Sequence, residues 1–199
     1  MPEISAPSTL SERSTDLVTF KILSNGTDLT TRIGVVGITV SSAVGRIGSA
    51  ILTLSEGDLP SQKMPVSDAD WFTPGKQIEV KVGYHSNETT IFKGIVVRHR
   101  VSVLQYKPTL MIVECRDPSV KMAARRRSAY FYEQTDSDIV TQIVGDYSGI
   151  ETDIDATQIN HPSIVQHHAS DWDFVVSRAE SQVTCLFLLN RLKCSTNST

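Results

Sequence analysis

The stretch QIEVKVGYHSNETTIFKGIVVR, residues 77–98, carries the clearest structural signal in the chain. Its first eight residues alternate polar and apolar side chains, and the apolar set falls on one face of an extended strand: Ile78, Val80, Val82 and Tyr84. HSNE at residues 85–88 predicts a turn, and residues 89–98 predict the return strand. Gly94 lies inside the return strand, where a glycine indicates a bend or a close backbone approach. The stretch therefore predicts an antiparallel hairpin.

Further short strands are predicted on both sides of this hairpin. They cover residues 16–23, 33–40, 50–55 and 110–115, and each is bounded by residues that favour turns. The Pro-Gly pair that ends at Gly75 is a strong turn signal immediately before the hairpin. Many short antiparallel strands at this spacing are typical of a barrel or a sandwich. We predict a mainly β chain of the α+β class that opens with an antiparallel β-barrel.

Two helices are predicted in the second half of the chain. Residues 136–147 have apolar side chains at helical spacing, with Thr135 in the N-cap position and Asp138 three residues later, as in a capping box. The same pattern recurs where Ser170 precedes a helix whose third residue is Asp173. The segment after the barrel is therefore predicted to be an α/β segment with two helices.

These patterns divide the chain into four regions. We predict a flexible leader at residues 1–15, a β-barrel domain at 16–116, a helix-containing linker at 117–182 and an atypical tail at 183–199. Between the two helices, the linker is predicted to contain short extended pieces and a loop at residues 160–162, where Asn, His and Pro follow one another.

Composition excludes several classes of protein. The formal net charge is -3 and the pI is near 5.9, whereas a nucleic-acid-binding domain normally shows a basic stripe. The chain has no apolar run of about 20 residues that could span a membrane, and its N-terminus lacks the pattern of a secretory signal. Cys115, Cys185 and Cys194 are an odd number without CxxC spacing, which favours reduced thiols. We expect no nucleic-acid partner and no membrane span.

No group of residues in the sequence predicts catalysis or cofactor binding. The nearest approach to a metal site comprises His161, His167, His168, Asp171 and Asp173. The adjacent histidines point to opposite faces of an extended segment, and helix capping accounts for the two acids. The carboxylate pairs at 68/70 and 153/155 lack an apolar pocket that would separate their pKa values as a glycosidase needs. We predict no catalytic residue, no metal and no cofactor.

The residues of interest are instead structural or interface candidates. Large aromatic side chains dominate cores and interfaces, and glycines permit turns and bends. The candidates are Trp71, Phe72, Gly75, Phe92, Gly94, Arg125, Arg126, Arg127, Trp172 and Phe174. The arginine run at 125–127 could meet an acidic partner, but a solvated turn between a short helix and a strand is the simpler interpretation. Tyr130, Phe131 and Tyr132 could form a partner-facing patch, although alternation favours one or two of them in the core.

Several segments, in order, resemble the Rhs-element Vgr proteins and the late control D-like baseplate hubs of phage tails. The resemblance runs over about two-thirds of the chain. It covers VGRIGSAILTLSEGD at 44–58, SDADWFTPGKQIEVKVGY at 67–84, IFKGIVVR at 91–98, RDPSVKM at 116–122, FYEQTDSDIVTQIVGDY at 131–147 and VQHHASDWDFVVSRAE at 165–180.

This resemblance implies a scaffold rather than an enzyme. It implies a homotrimer in which two barrel-like domains per subunit form a pseudo-six-fold ring, with residues 16–116 as the first hub barrel and 117–182 as the start of the second. The implied partners are a tail-tube protein and other baseplate and spike-tip proteins of a type VI secretion-like contractile injection system. The implied location is the bacterial cytoplasm during assembly and then a secreted or injected particle.

The end of the chain departs from this pattern. Family members continue with a glycine and further strands, whereas residues 183–199 contain no glycine and two of the three cysteines, as in a frameshift or truncated gene. Two other functions fit the strands. A stand-alone β-barrel module could bind a peptide or glycan, and a cell-wall hydrolase is a weaker alternative that lacks the acid/base pair.

Overall fold

The computed structural model describes residues 18–57, 63–85, 87–104, 107–181, 187–188 and 191–194. The predicted leader and Cys185 lie outside these residues, as does most of the predicted tail. No described helix is long and apolar enough to cross a membrane.

A seven-stranded antiparallel sheet forms the first part of the structure. Its strands run in the order β2-β1-β5-β6-β7-β4-β3. They are β1 Val18–Ser24, β2 Thr27–Asp28, β3 Gly34–Ser41, β4 Ser49–Ser55, β5 Gln77–Tyr84, β6 Asn87–Ser102 and β7 Leu110–Arg116. A short 3₁₀ helix, Asp70–Phe72, precedes β5. The mainly β prediction is confirmed.

One face of this sheet is buried in a single hydrophobic core. The strands contribute alternate residues, as period-2 patterning requires, and the connecting segments add Leu29, Ile33, Val66 and Phe72. The sheet and its connecting segments supply all the described residues of this core. In the described residues the sheet order ends at β2 and β3, with no ladder between them.

The second part of the structure packs helices against a two-stranded ribbon. Its elements are α1 Val120–Ala123, β8 Arg126–Thr135, α2 Asp136–Gly145, β9 Glu151–Ile154, β10 Asn160–Ser170, α3 Asp171–Ser181, β11 Phe187–Leu188 and β12 Arg191–Cys194. Strand β8 pairs with β10 in antiparallel fashion, and β12 pairs with β9 in parallel. A separate hydrophobic cluster, from Met122 to Ala179, lies between α2, α3 and the inner face of β8.

Both predicted helix starts have the predicted caps. The Thr135 hydroxyl accepts a hydrogen bond from the Asp138 N–H at 3.3 Å, and the Asp138 carboxylate accepts from the Thr135 N–H, which completes the capping box. At α3 the Ser170 hydroxyl accepts from the Asp173 N–H at 3.0 Å. Local sequence therefore sets where both helices begin.

Two local predictions were wrong. The predicted loop at residues 160–162 is the first part of β10, in which Asn160 pairs with Thr135. Pro162 is compatible with this strand because β10 has one neighbour, and its missing N–H can face away from the ladder. The predicted turn at residues 85–88 is shorter, because Tyr84 already pairs with Asn87 and His85 has a φ of 52°.

The two predicted turn or bend glycines are in positions that require glycine. Gly75 has a φ of 95°, and its N–H donates to the Val96 carbonyl at 2.8 Å. A Cβ on Gly94 would lie 2.3 Å from the carbonyl oxygen of Arg116 and 2.6 Å from the Phe92 ring. Gly94 therefore lets the backbones of β6 and β7 approach closely.

We expect Gly94→Ala to destabilise the fold by about 1–3 kcal/mol, because the added methyl group forces the backbones of β6 and β7 apart. Urea unfolding followed by circular dichroism measures this change. Gly37→Ala is the matched control, since a Cβ at Gly37 meets no atom within 4 Å, and it should shift stability by less than about 0.5 kcal/mol. Equal effects of the two substitutions would contradict the proposed close approach.

Candidate interaction surface

A buried carboxylate holds α3 against the ribbon and α2. Asp171 is the first residue of α3, and its relative exposure is 0%. It accepts hydrogen bonds from Arg127 Nε at 2.6 Å, Gln166 Nε2 at 2.8 Å and the Tyr147 hydroxyl. Arg127 also contacts the Asp146 carboxylate at 3.3 Å. One carboxylate therefore joins β8, β10, α3 and the end of α2.

The first residue of α2 repeats this arrangement. Asp136 is buried and accepts hydrogen bonds from Arg178 Nε at 2.7 Å and His161 Nε2 at 2.9 Å. Arg178 lies on α3 and His161 on β10, so this carboxylate also joins three elements. A buried charge is stable only with such partners, and its position at a helix N-terminus adds favourable interaction with the helix dipole.

The arginine run is therefore only partly the solvated turn that its composition favours. Arg125 and Arg126 are exposed, but Arg127 is half-buried on β8 and pairs with Asp171. The reason is strand alternation, which turns Arg127 towards an acid 44 positions away along the sequence. Asp171, interpreted from sequence as a capping residue, is instead the centre of a network. Spacing in the sequence contains no signal for this pairing.

The predicted aromatic anchors lie mostly inside the molecule. Phe72 and Phe92 belong to the core of the sheet, and Trp71 packs partly buried beside it. Trp172 and Phe174 belong to the second cluster, where the Phe174 ring stacks on Phe131 with 5.8 Å between centroids. These side chains stabilise the two cores.

Two tyrosines form an exposed pair on the outer face of the ribbon. Tyr130 and Tyr132 are each 65% exposed and stack with 6.3 Å between ring centroids, while Phe131 between them points inward. Val165, also exposed, lies opposite Tyr130 on β10. Alternation thus places one of the three aromatic residues in the core and two on a surface.

A further surface, which the sequence interpretation missed, lies on the outer face of β6 and β7. Arg98 donates to Glu114 at 2.6 Å across the two strands, and Arg100 and Arg116 lie two positions along on the same face. The hydrogen bond from Arg98 and the charges of all three arginines hold the pKa of Glu114 below its usual value. The i, i+2 spacing of Arg98 and Arg100 is the sequence pattern from which this surface could have been predicted.

The histidines and acids that suggested a metal are dispersed. Among the described residues, no group of three or more His, Cys, Asp or Glu side chains could hold an ion. His161 is bound to Asp136, and His168 lies in the β10 bulge between Gln166 and Ala169. Of the acid pair at 68/70, Asp70 accepts a hydrogen bond from Lys76 at 2.6 Å, which lowers the pKa of its carboxyl group.

We expect Asp171→Asn to destabilise the fold by about 3 kcal/mol, because it removes the buried counter-charge of Arg127 and leaves that guanidinium only the exposed Asp146 carboxylate. Urea unfolding provides the measurement. Asp173→Asn is the control, since that side chain is exposed and an asparagine oxygen can still accept from the Ser170 hydroxyl. The network has no stabilising role if both variants unfold at the same urea concentration.

Stability should also fall in acid. Burial opposes the ionisation of Asp136 and Asp171, but their hydrogen-bond donors outweigh it and hold both pKa values below the ordinary 3.8. A depressed folded-state pKa adds stability that is present above about pH 4 and is lost as the pH falls through the folded value. The free energy of unfolding should drop below about pH 4, and less steeply in an Asp136→Asn/Asp171→Asn double variant. Identical acid profiles of wild type and double variant would refute this assignment.

The fold is shared with proteins of phage tails and type VI secretion. A 43 kDa tail protein of prophage MuSo2 from Shewanella oneidensis superposes with a TM-score of 0.64 at 13% identity, covering 92% of this chain and 54% of that one. The E. coli c3393 protein, a component of the type VI secretion system, gives 0.61 at 14% identity, covering 82% and 43%. A chain of the Francisella PdpA-VgrG complex gives 0.60 at 11% identity, covering 92% and 29%.

This chain thus spans about half or less of the length of these three proteins. The resemblance to Vgr proteins holds at the level of a tail- and spike-type fold. No curated protein sequence matches the chain significantly. The family model that matches is a different one, the Alg8 N-terminal domain, and it covers residues 14–195. The chain therefore belongs to the Alg8 N-terminal domain family.

Proposed function

We propose that this chain is a structural component of the baseplate hub or spike of a contractile, phage-tail-like injection apparatus, and that it acts as a scaffold rather than as an enzyme. The observation that carries the proposal is the fold, which matches tail and spike proteins over 82–92% of the chain at 11–14% identity. A fold retained at such low identity reflects conserved packing, and the function must be tested separately.

In this proposal the two hydrophobic cores have different assembly roles. The sheet of residues 18–116 is the first hub barrel, and the helix-containing segment from residue 117 begins the second. Each has its own cluster of buried side chains, which supports a division into two units near Asp117. The aromatic residues Trp71, Phe72 and Phe92 stabilise the first unit, and Trp172 and Phe174 the second.

The proposed oligomer is a homotrimer that adapts the tail tube to the spike. Strand β3 supports self-association because β4 is its only neighbour among the described strands, and its eight residues GVVGITVS contain no charge and no proline. Soluble monomers usually protect such edges with charged residues or proline. Val36, which lies at the β-bulge between Val35 and Gly37, is 61% exposed.

The remaining interface candidates extend the proposal to other partners. Arg126 at the start of β8 and Arg125 just before it are exposed, and they are the proposed contacts with a partner in the assembled particle. The proposed partners are a tail-tube protein and other baseplate and spike-tip proteins. Assembly would take place in the bacterial cytoplasm, before the particle is secreted or injected.

We expect the purified chain to form a trimer, three times the 21.9 kDa chain mass, in size-exclusion chromatography with light scattering. Val36→Lys should weaken this association at the β3 edge, because it places a charge where a second strand would pair. Val44→Lys, at an exposed valine in the turn after β3, is the matched control. Co-purification with a tail-tube protein tests the proposed contact between this chain and the tail tube. If the chain stays monomeric and does not bind the tube protein, the result would favour the alternative function, a stand-alone β-barrel module that binds a peptide or glycan.

A further inference from the structure

Positive and negative charges are segregated along the chain. Between residues 93 and 127 there are nine lysine or arginine residues and two acidic residues, whereas between 128 and 181 there are one arginine and ten acidic residues. The modest overall charge conceals this division. A basic segment, residues 93–127, therefore precedes an acidic unit, residues 128–181, within one polypeptide.

Three of these basic residues share one exposed sheet face. We use the name arginine face for Arg98, Arg100, Arg116 and the intervening Glu114 on β6 and β7. Glu114 is bound to Arg98 at 2.6 Å, so a single carboxylate is shared among three guanidinium groups. Arg100 and Arg116 make no ion pair in the part of the chain that the structure describes. The face therefore keeps a net positive charge.

An apolar side chain and a sheet edge adjoin the arginine face. Ile51 of β4 lies directly opposite Glu114 and is 41% exposed. Ser49 pairs with Arg116 on one side and with Ser41 of β3 on the other, so the arginine face is only one strand removed from the β3 edge. Arginine beside exposed apolar surface is a composition typical of protein interfaces.

The acidic unit carries exposed charges of the opposite sign. The buried Asp136 and Asp171 are neutralised within the chain by Arg178 and Arg127. Other acids of this unit are exposed and, within the described residues, make no ion pair. They are Glu133, Asp155 and Glu180.

We propose that the arginine face is a docking surface for the acidic unit, residues 128–181, of a second copy of this chain. The inference rests on the proposed function, because it specifies the contact through which hub subunits would associate. Charge complementarity identifies the partner, since the same polypeptide supplies both signs on different surfaces. A contact between two unlike surfaces is head-to-tail, and repeated contacts of this kind form a ring when the rotation from one subunit to the next closes.

Charge reversal tests this contact. Arg100→Glu/Arg116→Glu leaves the Arg98–Glu114 pair in place and should weaken self-association roughly tenfold or more, measured by sedimentation velocity across a concentration series. Arg32→Glu/Lys63→Glu makes the same charge change at exposed positions outside the arginine face and should leave association unchanged. Raising the salt concentration from about 50 mM to about 500 mM should weaken the wild-type association and have little effect on the reversed variant.

Reversing the charges on both sides of the proposed contact gives a more specific test than reversing the arginines alone. Glu133→Lys/Glu180→Lys chains should associate with Arg100→Glu/Arg116→Glu chains more tightly than either variant associates with itself. Circular dichroism checks that each variant folds, and Arg100→Gln/Arg116→Gln replaces the reversed variant if it does not. Unchanged self-association of the folded arginine variant would overturn this inference and leave the hub proposal standing. A wild-type chain that is monomeric at every concentration would overturn both.

Discussion

The whole sheet depends on the way in which strand β6 changes partner. Its residues 87–95 pair with β5, and its residues 95–102 pair with β7, so Ile95 is the point at which the two ladders meet. A stagger of this kind tilts strands relative to one another, as barrel closure requires. Register shifts occur in both ladders, and a bulge increases local twist and bends a strand. Gly94 stands beside this point because no side chain fits between its backbone and the Arg116 carbonyl.

The second unit depends on a different constraint, the neutralisation of two buried carboxylates. Asp136 and Asp171 each begin a helix, and each is held by an arginine from another element. One pair joins α2 to α3 and the other joins α3 to the ribbon, so a rotation of either helix would leave a buried charge without its partner. The two units are therefore stabilised by different means, one by an apolar core on its sheet and the other by helix packing combined with charge pairing.

Three exposed features of the described residues are candidates for contact with a partner. The exposed tyrosine pair, the β3 edge and the arginine face lie on the outside of elements whose inner faces are well packed. Surfaces of this kind, rimmed by polar groups and rich in arginine and tyrosine, suit assembly.

Local patterns were sufficient to predict the strands of the central hairpin and both helix caps, because alternation and capping depend on residues within one or two turns of each other. They also led to the mainly β class.

Local patterns failed at residues 160–162, where Pro162 predicted a loop but pairing with β8 imposes a strand. They also failed at Arg127, whose partner is 44 positions away. The clustering of Arg98, Arg100 and Arg116 likewise arises from the register between two strands. Contacts of this range form only when strands pair and helices pack, since sequence spacing contains no information about which distant face a side chain will meet.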